Sequence, residues 1–482
     1  MRLSLYGKNQ AENERKMKLN YKRTILVGFA FFLISAFWQA YDAIVPLILT
    51  NHFGLPQSVS GVVMSLDNIL AVFMLPIFGA LSDKINTKIG KRTPFVLGGT
   101  IAAVISFFGL TFVDNYQLAK LVEAQKSLSG LDTEAFKTES AKLALDLTLA
   151  NPLAIAGFIL TLLVVLIAMA TFRSPAVALM PDVTIKPLRS KGNAIINLMG
   201  TAGGIIILLF GTVFGTSKNL YMSYTGYVLA VIGVMLAGLI IFLTTVKEKK
   251  WAEEMEEDTK RFGLEDAPKV EDNGVKRVLT KPELRSLLLI LASVALWYIG
   301  YNSITSKYSV YATNILGVDY GLTLIVAQAA AIVSYIPVGI VASKLGRRKT
   351  ILAGITMLAT AFFIGNFIGE GASPLIMYPI FALAGIGWAT INVNSFPMVV
   401  ELAKNGEVGK YTGYYYTASM AAQIVAPVLS GILYDLVGMR IMFFLFGTIF
   451  VVFSFITMFF VKHGDAKAEK QNALEALGGA DD

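Results

Sequence analysis

The chain has 482 residues, 55% of them hydrophobic and only 15% charged, with a formal net charge of +8. A soluble chain of this length carries about a quarter charged residues and divides into roughly three domains, and this composition excludes that class. With no Cys and two His, disulfide frameworks, thiolate nucleophiles, iron–sulfur clusters and Cys-ligated zinc are excluded, and His52 and His463 lie too far apart to suggest a metal motif.

In chain order, a basic and polar segment covers residues 1–23 and is followed by apolar runs at 24–50, 58–81, 94–113, 152–172, 191–216 and 222–246. Six more occupy 285–312, 320–342, 350–369, 374–400, 410–434 and 441–461, and residues 462–482 form a polar tail. About 20 apolar residues in a helix cross a hydrocarbon layer of about 30 Å, so the runs predict an all-α membrane protein with twelve transmembrane helices. The first run is too long for the apolar core of a signal peptide and lacks a small-residue cleavage site, so a cleavable leader is not expected. The stretch 114–151 predicts a short helical insertion on one face, and 247–284 a solvated linker on the other.

Charge placement sets the expected orientation. Lys120, Lys126, Lys137, Lys142, Lys218, Lys307 and Arg440 fall on the insertion face, and the other 34 of the 41 Lys and Arg on the linker face. The positive-inside rule then places both termini in the cytoplasm of a cell with this protein in its plasma membrane. The net charge is thereby a topological signal and calls for no nucleic-acid partner.

The two halves, 24–246 and 285–461, echo each other. Gly79, Ser82, Asp83, Gly90, Lys91 and Arg92 follow the second run, while Gly339, Ser343, Lys344, Gly346, Arg347 and Arg348 follow the eighth. Equivalent loops in each half point to duplicated six-helix bundles with a substrate site between them near mid-membrane. Gly for close approach, an Asp that can cap and pair, and a basic cluster can latch one half against the other, with Asp182 at the matching end of the fourth run.

This arrangement resembles the signature loop of the major facilitator superfamily, whose fold is two pseudo-symmetric six-helix bundles working by alternating access. The segment SDKINTKIGKRTPF, with Gly90 seven residues after Asp83, is similar to the loop of sucrose–proton symporters and related glycoside carriers. So is the run of Ser174, Pro175, Ala178, Leu179, Pro181, Asp182, Gly192, Asn193, Ala194 and Gly200. There are departures. The helix-four Asp and Arg of plant sucrose carriers fall near Val165 and at Val177, the carboxylates of melibiose-type sodium carriers fall at Leu75 and Ala71, and Ser343 stands where the superfamily usually has Asp. The Gly-Pro signature of drug–proton antiporters is absent between Gly200 and Gly215.

Ionisable groups inside a membrane cost at least ~2.5 kcal/mol and usually face a cavity or partner. Asp42 and Asp67 are predicted at similar depth and are the candidates for carrying a proton; each also has the simpler reading of a helix cap, a local hydrogen bond or an aqueous vestibule. Sugars require aromatic faces and forked polar groups. Candidates are Trp38, Gln39 and Asp42 in the first run, Asn68 in the second, Trp297, Tyr298 and Asn302 in the seventh, and Trp388 and Asn392 in the tenth. The candidate cytoplasmic gate comprises Gly79, Asp83, Gly90, Lys91, Arg92, Asp182, Gly346, Arg347 and Arg348. His52 reads as a solvated loop residue, and Lys307, Glu370 and Glu401 as helix-end residues that reach solvent. Gln328 and Gln423 read as interhelical or cavity amides.

No GxxxxGK[ST] sequence or soluble nucleotide domain is present, so no ATP and no cofactor are expected. The expected function is a proton-coupled importer of a glycoside, a disaccharide or short oligosaccharide. The alternatives are a carrier of an organic anion, a peptide-like solute or a drug, and, outside transport, a membrane sensor. An enzyme is not expected.

Overall fold

Helix starts are set by side chains that satisfy the orphan amide groups of a first turn. Asn20 accepts from the Arg23 amide at 3.2 Å, Asp132 from Ala135 at 2.8 Å and Asp319 from Gly321 at 2.7 Å. Thr280 and Glu283 form a reciprocal capping box, and Pro94 and Pro152 occupy first-turn positions where no amide hydrogen is needed. The structure is a computed structural model that describes residues 18–264, 279–402 and 408–464. The amino-terminal segment before Lys18, the middle of the linker and the tail beyond Gly464 lie outside the described residues.

The N-terminal bundle consists of α1 (Tyr21–Leu47), α2 (Gln57–Lys84), α3 (Thr93–Gln125), the insertion helix α4 (Thr133–Ala150), α5 (Pro152–Asp182), α6 (Arg189–Phe214) and α7 (Thr225–Thr245). The linker contributes α8 (Glu248–Arg261). The C-terminal bundle consists of α9 (Lys281–Thr305), α10 (Tyr320–Leu345), α11 (Arg347–Gly365), α12 (Pro374–Val400), α13 (Val408–Val437) and α14 (Met439–Phe459). Among the described residues, 12 helices are long and apolar enough to cross a membrane.

Pairwise packing repeats between the halves. In the first, α1 lies against α6 and α7, and α5 against α2 and α3; in the second, α9 lies against α13 and α14, and α12 against α10 and α11. The bundles meet where α2 packs on α13 and α6 on α10. At the first of these contacts a Cβ on Gly61 would stand 2.1 Å from the Pro427 carbonyl oxygen, and one on Gly431 would stand 2.3 Å from that of Gln57. Only glycine allows so close an approach of two backbones.

Both bundles end their first helix alike on the insertion face. α1 continues as a π turn, Ile48–His52, and the chain after α9 forms a second π turn, Tyr311–Leu316. Asn51 and Asn314 at these turns pair side chain to side chain across the two halves, at 2.7 and 3.4 Å. Three expectations change here. His52 is fully buried, its ring bonded to Asp114 and stacked on Tyr224, because the π turn carries it inward under α3. Lys307 is fully buried, because it follows the end of α9 at Thr305 and lies in the contact between the halves. α5 runs to Asp182, ten residues past the apolar stretch; hydrocarbon thickness limits the apolar run and not the helix.

Candidate functional site

A cavity of about 650 Å³ lies between the bundles. Its wall takes Trp38, Gln39 and Asp42 from α1, Arg173 from α5, Asn197 and Thr201 from α6, Tyr301 from α9, Gln328 and Tyr335 from α10, and Trp388 from α12. The spacing of Trp38 and Asp42 places them one turn apart on one face of α1, and Asp42 is exposed to the cavity. Among the described residues its carboxylate has no ion-pair partner, although Asp67 is within electrostatic reach.

The aromatic wall is built from both halves. Tyr301 and Trp388 stack at 5.9 Å between ring centroids, and on the opposite bundle Trp38 packs edge-on against Tyr41 at 5.4 Å. The Arg173 guanidinium lies over the Trp38 ring at 5.6 Å and is electrostatically coupled to Asp67. A cation over an aromatic face is held by the ring quadrupole, so Trp38 holds Arg173 at the wall, within electrostatic reach of Asp67. Gln328 donates to Gln39 at 2.9 Å, bridging the two bundles across the cavity. Among the described residues, the Trp38 indole N–H and the Gln328 carbonyl oxygen have no hydrogen-bond partner. An orphaned donor and an orphaned acceptor on wall residues favour a polar guest, since an unmet buried group costs about 1–3 kcal/mol.

The other candidates fall elsewhere. Trp297 is buried and packs on Tyr298 at 3.9 Å, neither of them on the cavity wall. Asn302 turns its amide onto the Tyr298 carbonyl one turn back at 2.8 Å. Asn68 donates to Asp67 at 2.8 Å, and both lie off the cavity wall. Asn392 is buried, one turn beyond Trp388 and off the wall. Tyr301, of the same aromatic and amide set in the seventh run, does line the cavity, and so do Arg173, Tyr335, Asn197 and Thr201, which the sequence does not single out as substrate ligands. Arg173 sits nine residues before the end of α5, roughly 13 Å along its axis. The signal available for it was the helix-compatible sequence through Asp182.

The loop motif of the first half closes on itself. Arg92 donates through Nε to Asp182 at 2.7 Å and also binds Ser82 and Asp83. Burial opposes the charge of this guanidinium, but Asp182 and Asp83 more than offset it, and its pKa lies above the ordinary value. The Gly79 position faces Ser174, whose Oγ would be 2.8 Å from an added Cβ. Glu248 of α8, a residue sequence reasoning passed over, seats its carboxylate on the first turn of α3. It accepts from the amides of Lys91, Arg92 and Thr93 at 2.6, 2.8 and 2.7 Å and from the Thr93 hydroxyl at 2.7 Å. A carboxylate at a helix N-terminus meets orphan amides and the positive end of the dipole. Gly90 is required beside it: its φ is 123°, and a Cβ there would be 2.3 Å from the Glu248 carboxyl. In the second half Arg347 pairs with Glu401, and Arg348 lies against the Phe459 carbonyl and ring. Gly346, at φ 91°, begins α11.

The hydrogen bonds described here that cross between bundles gather on the insertion side of the cavity. Besides Asn51–Asn314 and Gln39–Gln328 they include Thr216 with Tyr320 at 2.6 Å and Asp435 with the Gln57 and Ser58 amides at 2.7 and 2.8 Å. This seam roofs the cavity.

A family profile described as the Major Facilitator Superfamily matches residues 27–334 and 311–479. The chain belongs to the major facilitator superfamily. Two fungal proteins named MFS-type transporter ppzB, from Metarhizium rileyi (strain RCEF 4871) and Metarhizium majus (strain ARSEF 297), are 29% and 28% identical over 114 residues. Each match covers 24% of this chain, and it spans only about a quarter of those relatives' length, 23% and 24%. Among solved structures, the inward open conformation of the xylose transporter XylE from E. coli aligns with a TM-score of 0.60 at 13% identity, covering 94% of this chain and 98% of that one. A bacterial homologue of the iron transporter ferroportin in its inward-facing state aligns with a TM-score of 0.60 at 13% identity over 92% and 99% of the two chains. The structural likenesses show the fold alone, and the twelve candidate spans among the described residues agree with it.

Proposed function

We propose that this superfamily member is a secondary transporter that imports a glycoside, a disaccharide or short oligosaccharide, together with a proton. The observation that carries this reading is the cavity itself, where the Asp42 carboxylate, without an ion-pair partner among the described residues, shares a wall with the stacked Tyr301 and Trp388 rings. Its volume of about 650 Å³ falls within the range of small-molecule sites. Flat aromatic faces suit sugar rings, while Gln39, Gln328, Asn197 and Thr201 supply forked polar contacts for hydroxyls.

Asp42 is the proposed proton carrier. A carboxylate facing a membrane cavity without a bound cation can bind a proton with the solute and release it with the solute; Asp67, held near Arg173, is the alternative carrier. With the linker in the cytoplasm, as the charge distribution supports, a seam closed on the insertion face corresponds to an inward-facing state. Substrate would leave past the Arg92 loop.

One observation favours a second reading. Arg173 places a cation in the wall, as a solute bearing a carboxylate would require. Uptake into proteoliposomes separates the two: neutral disaccharides are accumulated on the glycoside reading, and only acidic solutes on the other. In the second case Arg173→Gln abolishes uptake. Disaccharide uptake that persists unchanged after the proton gradient is collapsed rules out the symport mechanism.

A further inference from the structure

The cavity takes up Asp42 and Arg173, and Arg92, Glu248 and Asp114 have their own partners, but the buried charge of Lys307 serves none of these sites. Lys307 is fully buried on the insertion face, just after α9, and its Nζ donates to Ser60 Oγ on α2 of the opposite bundle. Next to it, Asp435 of α13 faces it electrostatically while accepting the Gln57 and Ser58 amides that open α2. Asp435 is therefore the helix cap of α2, supplied by the other half of the molecule.

We infer that Lys307, Ser60 and Asp435 form the insertion-face gate, and that closing it moves the Lys307 ammonium from water into the seam, so that closure depends on pH. The inference rests on alternating access within the superfamily and is independent of the cargo. Lysine in water is solvated on three sides; in the closed seam it keeps one hydroxyl acceptor and one neighbouring carboxylate.

Among the described residues, no charge besides Asp435 faces it to offset the burial. α2 presents only the Ser60 hydroxyl, and α13 adds Tyr434, whose hydroxyl donates to the Ser303 carbonyl at 3.1 Å. Arg440 of α14 is turned to the Tyr311 hydroxyl at 2.8 Å, and α1 reaches this side through the Asp42 carbonyl, which accepts from Ser309 at 3.3 Å. Burial pushes the Lys307 pKa down from 10.5 to about 7 in the closed state, with Asp435 opposing the shift. When the gate opens, the ammonium regains water and the ordinary value near 10.4.

The sign of the linkage follows. Between about pH 7 and 10 the open state holds the extra proton, so closure releases it and raising the pH favours the closed gate, by up to about tenfold per unit. Below about pH 7 both states hold the proton, and the ratio is flat.

The chain has no Cys, so two introduced thiols are the only spin-label sites. Asn219→Cys and Glu370→Cys, on exposed insertion-face positions of opposite bundles, report the gate by pulsed electron spin resonance in detergent, without any substrate. The closed population is expected to rise with pH between 7 and 10. Lys307→Met should remove that dependence and hold the gate closed, and Lys307→Arg, charged throughout, should remove it and hold the gate open. If Lys307→Met is poorly expressed, Lys307→Gln gives the same comparison. A pH dependence that survives in Lys307→Met or Lys307→Gln, or a Lys307→Arg gate as closed as the parent, overturns the inference. Neither result touches the glycoside reading, which is tested by uptake.

Discussion

At Asp42 a carboxylate faces a cavity inside a membrane bundle with no cation paired to it among the described residues. Asp42→Asn, of nearly the same size, should leave solute exchange across a liposome membrane intact while abolishing accumulation against a gradient; loss of exchange and accumulation together would make Asp42 a binding group only. A different role falls to Glu248, whose four acceptor contacts join the linker to α3. Glu248→Ala leaves buried amides unmet, and a loss of about 1–3 kcal/mol in stability is expected, read as a lowered unfolding midpoint of the purified protein. A midpoint equal to that of the parent would show that the contact contributes nothing. Trp38, Gln39 and Asp42 share the cavity wall because their spacing sets them on one face of α1, whereas the same spacing on α12 brings Trp388 to the wall and leaves Asn392 off it. Arg173, His52 and Lys307 were not legible. Arg173 sits past an apolar run in a helix that continues, and the partners that bury His52 and Lys307 are 62 and 247 residues away.

Among the elements, α2 and α13 carry the seam between bundles. Their closest approach is at Gly61, where any side chain meets the Pro427 carbonyl. Gly61→Val should prevent this closure and shift the Asn219–Glu370 label distance toward the open population at every pH; an unchanged distance distribution would show that α2 and α13 separate little during the cycle. The linker helix α8 is an element the sequence announced only as a charged stretch. Its docking depends on Glu248, on the Arg23 guanidinium over Trp251 at 5.3 Å, and on the Arg23–Glu254 pair. Its apolar stripe, Trp251, Met255 and Phe262 among charges, is short beside the twelve spans, which are dictated by the bilayer and were readable as runs.

For the whole molecule, the pseudo-two-fold arrangement explains why loop motifs in the two halves look alike yet behave differently. Arg92 closes on Asp182 and Asp83 within its own bundle, and Arg347 closes on Glu401 within the other, so in this conformation the linker-face motifs hold each half rigid while the insertion-face seam joins them. On the proposed symport mechanism, opening and closing this seam in alternation with the linker face exposes the cavity to one side at a time, and a proton travels with the solute. Solute-driven proton movement into proteoliposomes tests this most directly. Adding a disaccharide to vesicles containing the purified protein should alkalinise the unbuffered outer medium, and the signal should vanish with Asp42→Asn. Disaccharide entry with no change in outer pH, or an undiminished pH change in Asp42→Asn, would contradict it.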